Sequence, residues 1–260
     1  MLVRYLAVGA AMLLASRVAL AQSASDHVAV GDRFHTEMQP AEALAHYKEA
    51  LAADSTNYEA LWKASRESVD LGEFEADKAK QKEYFDQGVD YARRAIATRP
   101  DDAEGHFSLA RALGRAALSV GKKQRVRYAK EVRAEALKTL SIDSLHAGAL
   151  HVMGRWNAEI MRLSGFSRFM AKNFLGGDVF GEASWNKAVQ YMEKSVAVDP
   201  GRLAHHLDLA EIYRDRNKGD DREKAKEQFQ AVIDGPATDY NDQFYKQQAE
   251  RELAELEKKH

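Results

Sequence analysis

The chain contains no cysteine. Without thiols there are no disulfides, no thiolate nucleophile and no Cys-ligated metal, so stability must come from packing. Proline is scarce, at 4 of 260 residues, and runs of alternating β-branched residues are missing. Strand signals are therefore weak, and long stretches are free to be helical. Charge of one sign is also lacking: 38 Lys and Arg stand against 40 Asp and Glu, a formal net charge of -2. Such balance gives no reason to expect nucleic acid as a partner. No HExxH, GxSxG or phosphate-loop pattern occurs, so no catalytic residue is assigned. His205 and His206 are adjacent; on a helix they diverge by about 100° and cannot jointly hold one metal. The expectation is a non-enzymatic chain without cofactor or metal.

Long apolar runs are short of what a bilayer needs. Arg4 precedes an apolar stretch from Leu6 to Ala15, and Ala19-Leu20-Ala21 stands before Gln22. That small-x-small layout is a secretory signal peptide over residues 1–21, followed by one domain over 22–260. An uncleaved anchor is the alternative, disfavoured by the length of the run and by Arg17 just after it. The expected location is outside the cytoplasm, in the periplasm. With no Cys near the cleavage point, a lipoprotein anchor has no attachment residue.

What is abundant is helix-forming: 45% of residues are hydrophobic, and Ala, Glu, Lys and Leu are common. A second-helix pattern recurs, with small or aromatic residues spaced four, then three apart before an acidic or Pro-bearing turn. It reads Ala43, Tyr47, Ala50; then Gly88, Ala92, Ala95; then Ala188, Met192, Ser195; and, more loosely, Val132, Ala136, Thr139. Small residues there let paired helices approach closely. A first-helix pattern follows each turn, Gly31 and Phe34 fit an initial hairpin, and Ala225, Phe229 and Val232 fit a last one. This resembles the tetratricopeptide repeat, a helix-turn-helix unit of roughly 34 residues. The expected fold is all-α: a tetratricopeptide-like α-solenoid of about five helical hairpins with inserted helices and a C-terminal capping helix. The cap is placed from Asp239 to Lys259, with Phe244, Ala249, Leu253 and Leu256 on its apolar side. Connections inside the second, third and fourth hairpins look longer than the repeat requires.

Setting the first helices in register brings out two rows. Trp62, Phe107 and His151 share one position, and Arg66, Arg111 and Arg155 share the position one turn later; Arg115 lies a further turn along. The repeat resemblance implies that these positions line a concave surface. An aromatic row beside a guanidinium row suits a protein or peptide partner carrying acidic groups. Intramolecular pairing competes with that reading, because Asp70 follows Arg66 by four residues and Glu159 follows Arg155 by four.

The largest insertion, in the fourth hairpin, contains RLSGFSRFMAK from Arg162 to Lys172. Phe166, Phe169 and Met170 fall on one helical face, with Arg162, Arg168 and Lys172 around it. Such a segment either folds back as a wall or lid of its own solenoid or touches an anionic membrane surface or a partner groove, with Phe166, Arg168, Phe169 and Lys172 as the contacts.

His151 to Trp156 reads HVMGRW, followed by Leu163-Ser164 and Phe174-Leu175-Gly176. This resembles the regulator of microtubule dynamics family, more loosely from about Asn57 to Ile233. The resemblance implies a tetratricopeptide fold with an enlarged hairpin and a protein-binding adaptor. Members in animals associate with microtubules or organelle contact machinery; the target of an exported relative is left open.

Overall fold

A computed structural model describes residues 23–174 and 178–258, together with the backbone but not the side chains of Phe166, Ala171, Lys172 and Phe174. The expected signal peptide lies outside the described residues. The described chain is helical, and its first hairpin pairs α1 (Ala24–Thr36) with α2 (Pro40–Ala53). Next come α3 (Tyr58–Glu73) with α4 (Lys78–Thr98), and α5 (Ala103–Ala116) with α6 (Lys122–Ile142). In the fourth hairpin α7 (Ala147–Arg162) pairs with α9 (Trp185–Val198), while α8 (Gly165–Phe174) and a short 3-10 turn (Asp178–Glu182) stand between them. The fifth is α10 (Leu203–Arg216) with α11 (Asp221–Asp234), and α12 (Asp242–Lys258) packs on both. None of the described helices is long and apolar enough to cross a membrane.

Each hairpin closes on the small residues that the repeat pattern picks out. Ala43, Tyr47, Ala50, Ala92, Ala95, Ala136, Ala188, Met192, Ala225, Phe229 and Val232 are all fully buried. Polar members of the pattern bond to backbone across the pair: Ser65 Oγ donates to Gly88 O at 2.8 Å, and Ser195 Oγ to Ala147 O at 2.8 Å. Side chains of Asn57, Asp102 and Ser184 cap α3, α5 and α9, satisfying amides that the first turn leaves free. The core falls into separate clusters along the stack, as expected when each repeat contacts only its neighbours.

Three features differ from the sequence expectation. The extra residues of the second and third hairpins are not long loops: α4 and α6 each run to 21 residues. Lys, Gln, Glu and Ala favour extending the helix, and Asp77 starts α4 by accepting from Ala79 N and Lys80 N. Within α12 the buried aromatic is Tyr245, while Phe244 is 42% exposed and stacks on Phe74 with centroids 4.4 Å apart. The start of α12 therefore reaches α3: Asn241 Nδ2 donates to Asp70 O at 3.2 Å, across 171 residues of sequence. The solenoid closes on itself, with the stretch 238–245 lying across the inner face.

Candidate functional site

The first helices α3, α5, α7 and α10 line the inner face, and both rows lie on it. Trp62 is half-buried between two cations, Lys63 Nζ at 5.4 Å and Arg66 Cζ at 5.3 Å from its ring centroid. Arg66 donates through Nε to Glu67 at 2.8 Å and reaches Tyr47 Oη at 3.5 Å. The ring of Phe107 lies against the backbone of Gly148, where a Cβ would overlap it, and 4.5 Å from the ring of His146. His151 donates through Nε2 to the Asp208 carboxylate, its ring 4.8 Å from that of His205. The aromatic row is thus open at Trp62 and turned into contacts between hairpins further along.

The arginine row is paired throughout. Arg111 bonds to Asp70 and Arg115 to Glu73, both from α5 back to α3. Arg155 Nη1 donates to both oxygens of Asp208 at 3.0 Å, from α7 forward to α10. Arg162 continues the ladder to Asp215 Oδ2, its Nε at 2.7 Å, and Arg214 binds Glu252 of α12. Intramolecular pairing does occur, mostly between hairpins: Asp70 serves Arg111 rather than Arg66, while the expected Arg155–Glu159 pair along α7 is present as a long contact of 3.9 Å.

The HVMGRW stretch spreads its contacts over three neighbours. His151 and Arg155 hold α10 through Asp208. Gly154 permits close approach of α9, since a Cβ there would lie 2.9 Å from Met192 Cε and 3.2 Å from Ala188 O. Trp156 Nε1 donates to Ala129 O of α6 at 2.7 Å, and its ring meets Phe180 edge-on at 6.0 Å. A family model for regulator of microtubule dynamics protein 1-3 matches residues 28–257. The chain belongs to that family. In this member of the regulator of microtubule dynamics protein 1-3 family the motif is a clamp that fixes one inner helix against three others.

Among solved structures, the chain is similar to TTC0263, a thermophilic tetratricopeptide protein of Thermus thermophilus: 14% identity, 88% of this chain and 99% of that one covered, TM-score 0.60. It is also similar to Pseudomonas aeruginosa pilF, at 12% identity, 91% and 93% coverage and TM-score 0.52. These likenesses establish the tetratricopeptide fold. No curated protein sequence matches.

Electrostatically, the face of this family member balances its arginines with largely buried acids. Burial alone would raise the Asp208 carboxyl, but the Arg155 guanidinium and the His151 hydrogen bond outweigh it and hold it below the usual carboxylate range. Burial pushes Asp70 up to about 6 against the pull of Arg111. Glu211 sits beside Asp208 and accepts from Gln248 Nε2 at 2.8 Å. Burial and the Asp208 charge push its carboxyl up to about 7 against Arg155, Arg162 and Arg214.

A carboxyl raised on folding stabilises the fold fully below its unfolded value, here 4.5, and that contribution is lost as pH rises through 7. His151 and His205, lowered chiefly by burial, act in the opposite sense: their contribution is present above 6.5 and lost below it. The difference between wild type and Glu211→Gln isolates the first slope. The variant should gain on the order of 2–3 kcal/mol relative to wild type between about pH 5 and pH 8. Urea unfolding at both pH values checks this, and parallel profiles for the two proteins would remove Glu211 from the balance.

His205 and His206 point apart, as their adjacency requires: His205 Nδ1 is 3.1 Å from Ser195 Oγ, whereas His206 contacts Gln228 and Pro200 O. Among the described residues no three His, Asp or Glu side chains gather as a metal ion needs. Of the insertion residues, Phe169 is 56% exposed and Arg168 Nη1 donates to Met161 Sδ at 2.9 Å; the side chains of Phe166 and Lys172 lie outside the described part. Helix α8 packs chiefly on the 3-10 turn Asp178–Glu182, and the stretch crossing the inner face comes from the C-terminal end.

Sequence reasoning missed Asp208, Glu211, Glu73 and the Arg202–Asp239 pair, which closes at 2.6 Å. A signal for one of them was present: the register that aligns Gly154 with Ala210 puts Glu211 at the position of the arginine row. The row changes sign at the last hairpin, and a row that changes sign can pair with itself.

Proposed function

We propose that this chain is an exported, non-enzymatic protein-binding scaffold that receives an acidic protein segment on its concave face. One observation carries the reading: the chain lays an acidic, aromatic-flanked stretch of its own across that face. Asp239 pairs with Arg202, Phe244 stacks on Phe74, and Tyr245 meets Phe74 edge-on at 5.7 Å. A surface that accepts such a stretch in cis has the chemistry to accept one in trans. The site of first contact is the open end at Trp62 and Arg66, where a flat ring and a guanidinium remain partly exposed, backed by Lys63, which is buried against Asp32 and Glu59. Arg111, Arg115 and Arg155 already hold buried acids and shape the groove from behind. Export rests on the signal-peptide layout of residues 1–21.

The test is a photoreactive side chain placed at position 62 in cells, followed by mass spectrometry, with Arg66→Glu as the competing variant. Arg66 is preferred to Arg111 because Glu67, the buried acid that Arg66 meets, keeps His35 Nδ1 at 3.0 Å when Arg66 is replaced, whereas replacing Arg111 leaves buried Asp70 without its ion-pair partner. The same partner should crosslink in the wild-type background and be lost in Arg66→Glu while its helical circular dichroism is retained. Equal capture in both would rule out the groove.

A second reading is favoured by α8, on which Phe169 is 56% exposed next to Arg168. In that reading α8 contacts an anionic membrane surface. Flotation of the mature protein with anionic liposomes, abolished by Phe169→Ser, would support it.

A further inference from the structure

The second helices α2, α9 and α11 are 14 residues long, whereas α4 and α6 run to 21. The two added turns are rich in cations: KAKQKEY from Lys78 in α4 and KKQRVRY from Lys122 in α6. In α4 these charges are answered locally, because Asp77 caps the helix, Lys82 bonds to Asp86, and Glu83 lies beside them. In α6 they are not. From Lys122 to Lys130 there are five cations and no acid, and Gly121 supplies no side-chain cap. Cations at a helix N-terminus oppose its macrodipole, so the arrangement costs stability that acids at the same positions would give.

Lys122, Lys123 and Arg127 are exposed and have no ion-pair partner among the described residues. Arg125, also exposed, turns back to brace the tip before the helix. Its Nε donates to Ala117 O at 2.9 Å and its Nη2 to Val120 O at 3.4 Å, while Ser119 Oγ donates to Ala116 O at 2.9 Å. The braced tip holds Leu118 outward at 67% exposure, more than any other large hydrophobic among the described residues. The insertion stands at the same end of the solenoid. Lys130 holds Asp178 and Arg133 holds Glu182, and α8 packs on the 3-10 turn that carries both acids.

We propose that the start of α6 is a docking edge for an anionic lipid surface, with Lys122, Lys123, Arg125 and Arg127 meeting headgroups and Leu118 entering below them. Basic residues held close to anionic lipid each strengthen binding about fivefold, and an apolar side chain among them reaches the boundary between headgroups and acyl chains. Leu118 is a single apolar point among flexible cations rather than the wall of a groove, a layout that suits a soft charged surface better than a shaped protein partner. The edge does not require the α8 contact of the second reading, which belongs to another hairpin at the same end.

Flotation of the mature protein tests it. The wild type should float with phosphatidylcholine vesicles that contain phosphatidylglycerol and not with phosphatidylcholine alone. Lys122→Glu with Lys123→Glu should weaken binding about 25-fold or more, roughly fivefold for each cation lost, and Leu118→Ser, which keeps every charge, should weaken it severalfold. The charge reversal puts acids where the helix dipole favours them, so its melting temperature should hold or rise while binding falls; a folding defect would lower both.

Equal flotation of wild type and the charge-reversed protein overturns the edge, as does equal flotation with neutral vesicles. Release by inorganic phosphate at constant ionic strength overturns it too, since that marks a site for the free anion. Phe169→Ser separates the two contacts: loss of flotation there, with none in the charge-reversed protein, leaves α8 standing without the edge, and the opposite pattern leaves the edge without α8. Absence of wild-type flotation removes both.

Discussion

Asp208→Ala should lower the free energy of unfolding by about 3–5 kcal/mol, the cost of leaving a buried charge uncompensated. The Asp208 side chain is only 9% exposed, and it takes two hydrogen bonds from Arg155 and a third from His151. Among the other acids around Arg155, Glu159 is more than half exposed and 3.9 Å away, a weaker partner than Asp208. Alanine leaves the Arg155 guanidinium, its side chain 34% exposed, without its main partner and strands the more deeply buried His151 imidazole. Against a typical stability of roughly 5–15 kcal/mol, that loss is a large fraction of the total. Urea denaturation followed by circular dichroism measures it directly. Arg155→Met combined with Asp208→Leu should recover part of the deficit, because removing both charges also removes their desolvation. A deficit below about 1 kcal/mol for Asp208→Ala would mean that Arg155 is effectively solvated and free for an external partner. The experiment therefore bears on function: it decides whether the arginine row is scaffold or bait.

That ambiguity is where sequence reading stopped, for a physical reason. The hairpins were legible because Ala43, Tyr47 and Ala50, and their counterparts, recur at a spacing that only two close-packed helices require. The rows were legible because register within a repeat is fixed by geometry: Arg66, Arg111 and Arg155 do share one face. Which acid each arginine meets was not legible. The nearest acid in sequence to Arg66 on its own helical face is one turn away at Asp70, yet Asp70 turns to Arg111. The superhelical twist of the stack sets partners between hairpins, and no local spacing encodes it. The reach of Asn241 back to Asp70 is the same case at the largest scale, since it depends on the summed rotation of every repeat between them. Phe244 read as a core residue of the cap because its period fits the apolar side of α12. It faces Phe74 only because the solenoid closes.

Trp156→Ala should cost about 3–5 kcal/mol, in the range for truncating a large buried aromatic. Its effect should also be local in a way that the Asp208 loss is not. The Trp156 indole fills the junction of α6, α7 and the 3-10 turn Asp178–Glu182: its N–H holds Ala129 O, its ring takes Phe180 at the edge, and the Arg133 guanidinium lies 5.7 Å from its centroid. Arg133 in turn binds Glu182, so one side chain ties the exit of the insertion to the stack. Phenylalanine at 156 keeps most of the apolar contact and forfeits the hydrogen bond, while Ala129 O keeps its bond within α6. It should cost less than alanine, about 0.5–1.5 kcal/mol. Limited proteolysis separates local from global loss. In Trp156→Ala, cleavage between residues 163 and 184 should accelerate ahead of cleavage elsewhere, while Asp208→Ala should open the chain cooperatively. Uniform cleavage in both would contradict a clamp at Trp156. Because this tryptophan belongs to the motif that carries the family resemblance, a local effect would also give that motif a physical meaning: it holds the enlarged hairpin shut around its insertion, whatever the insertion then touches.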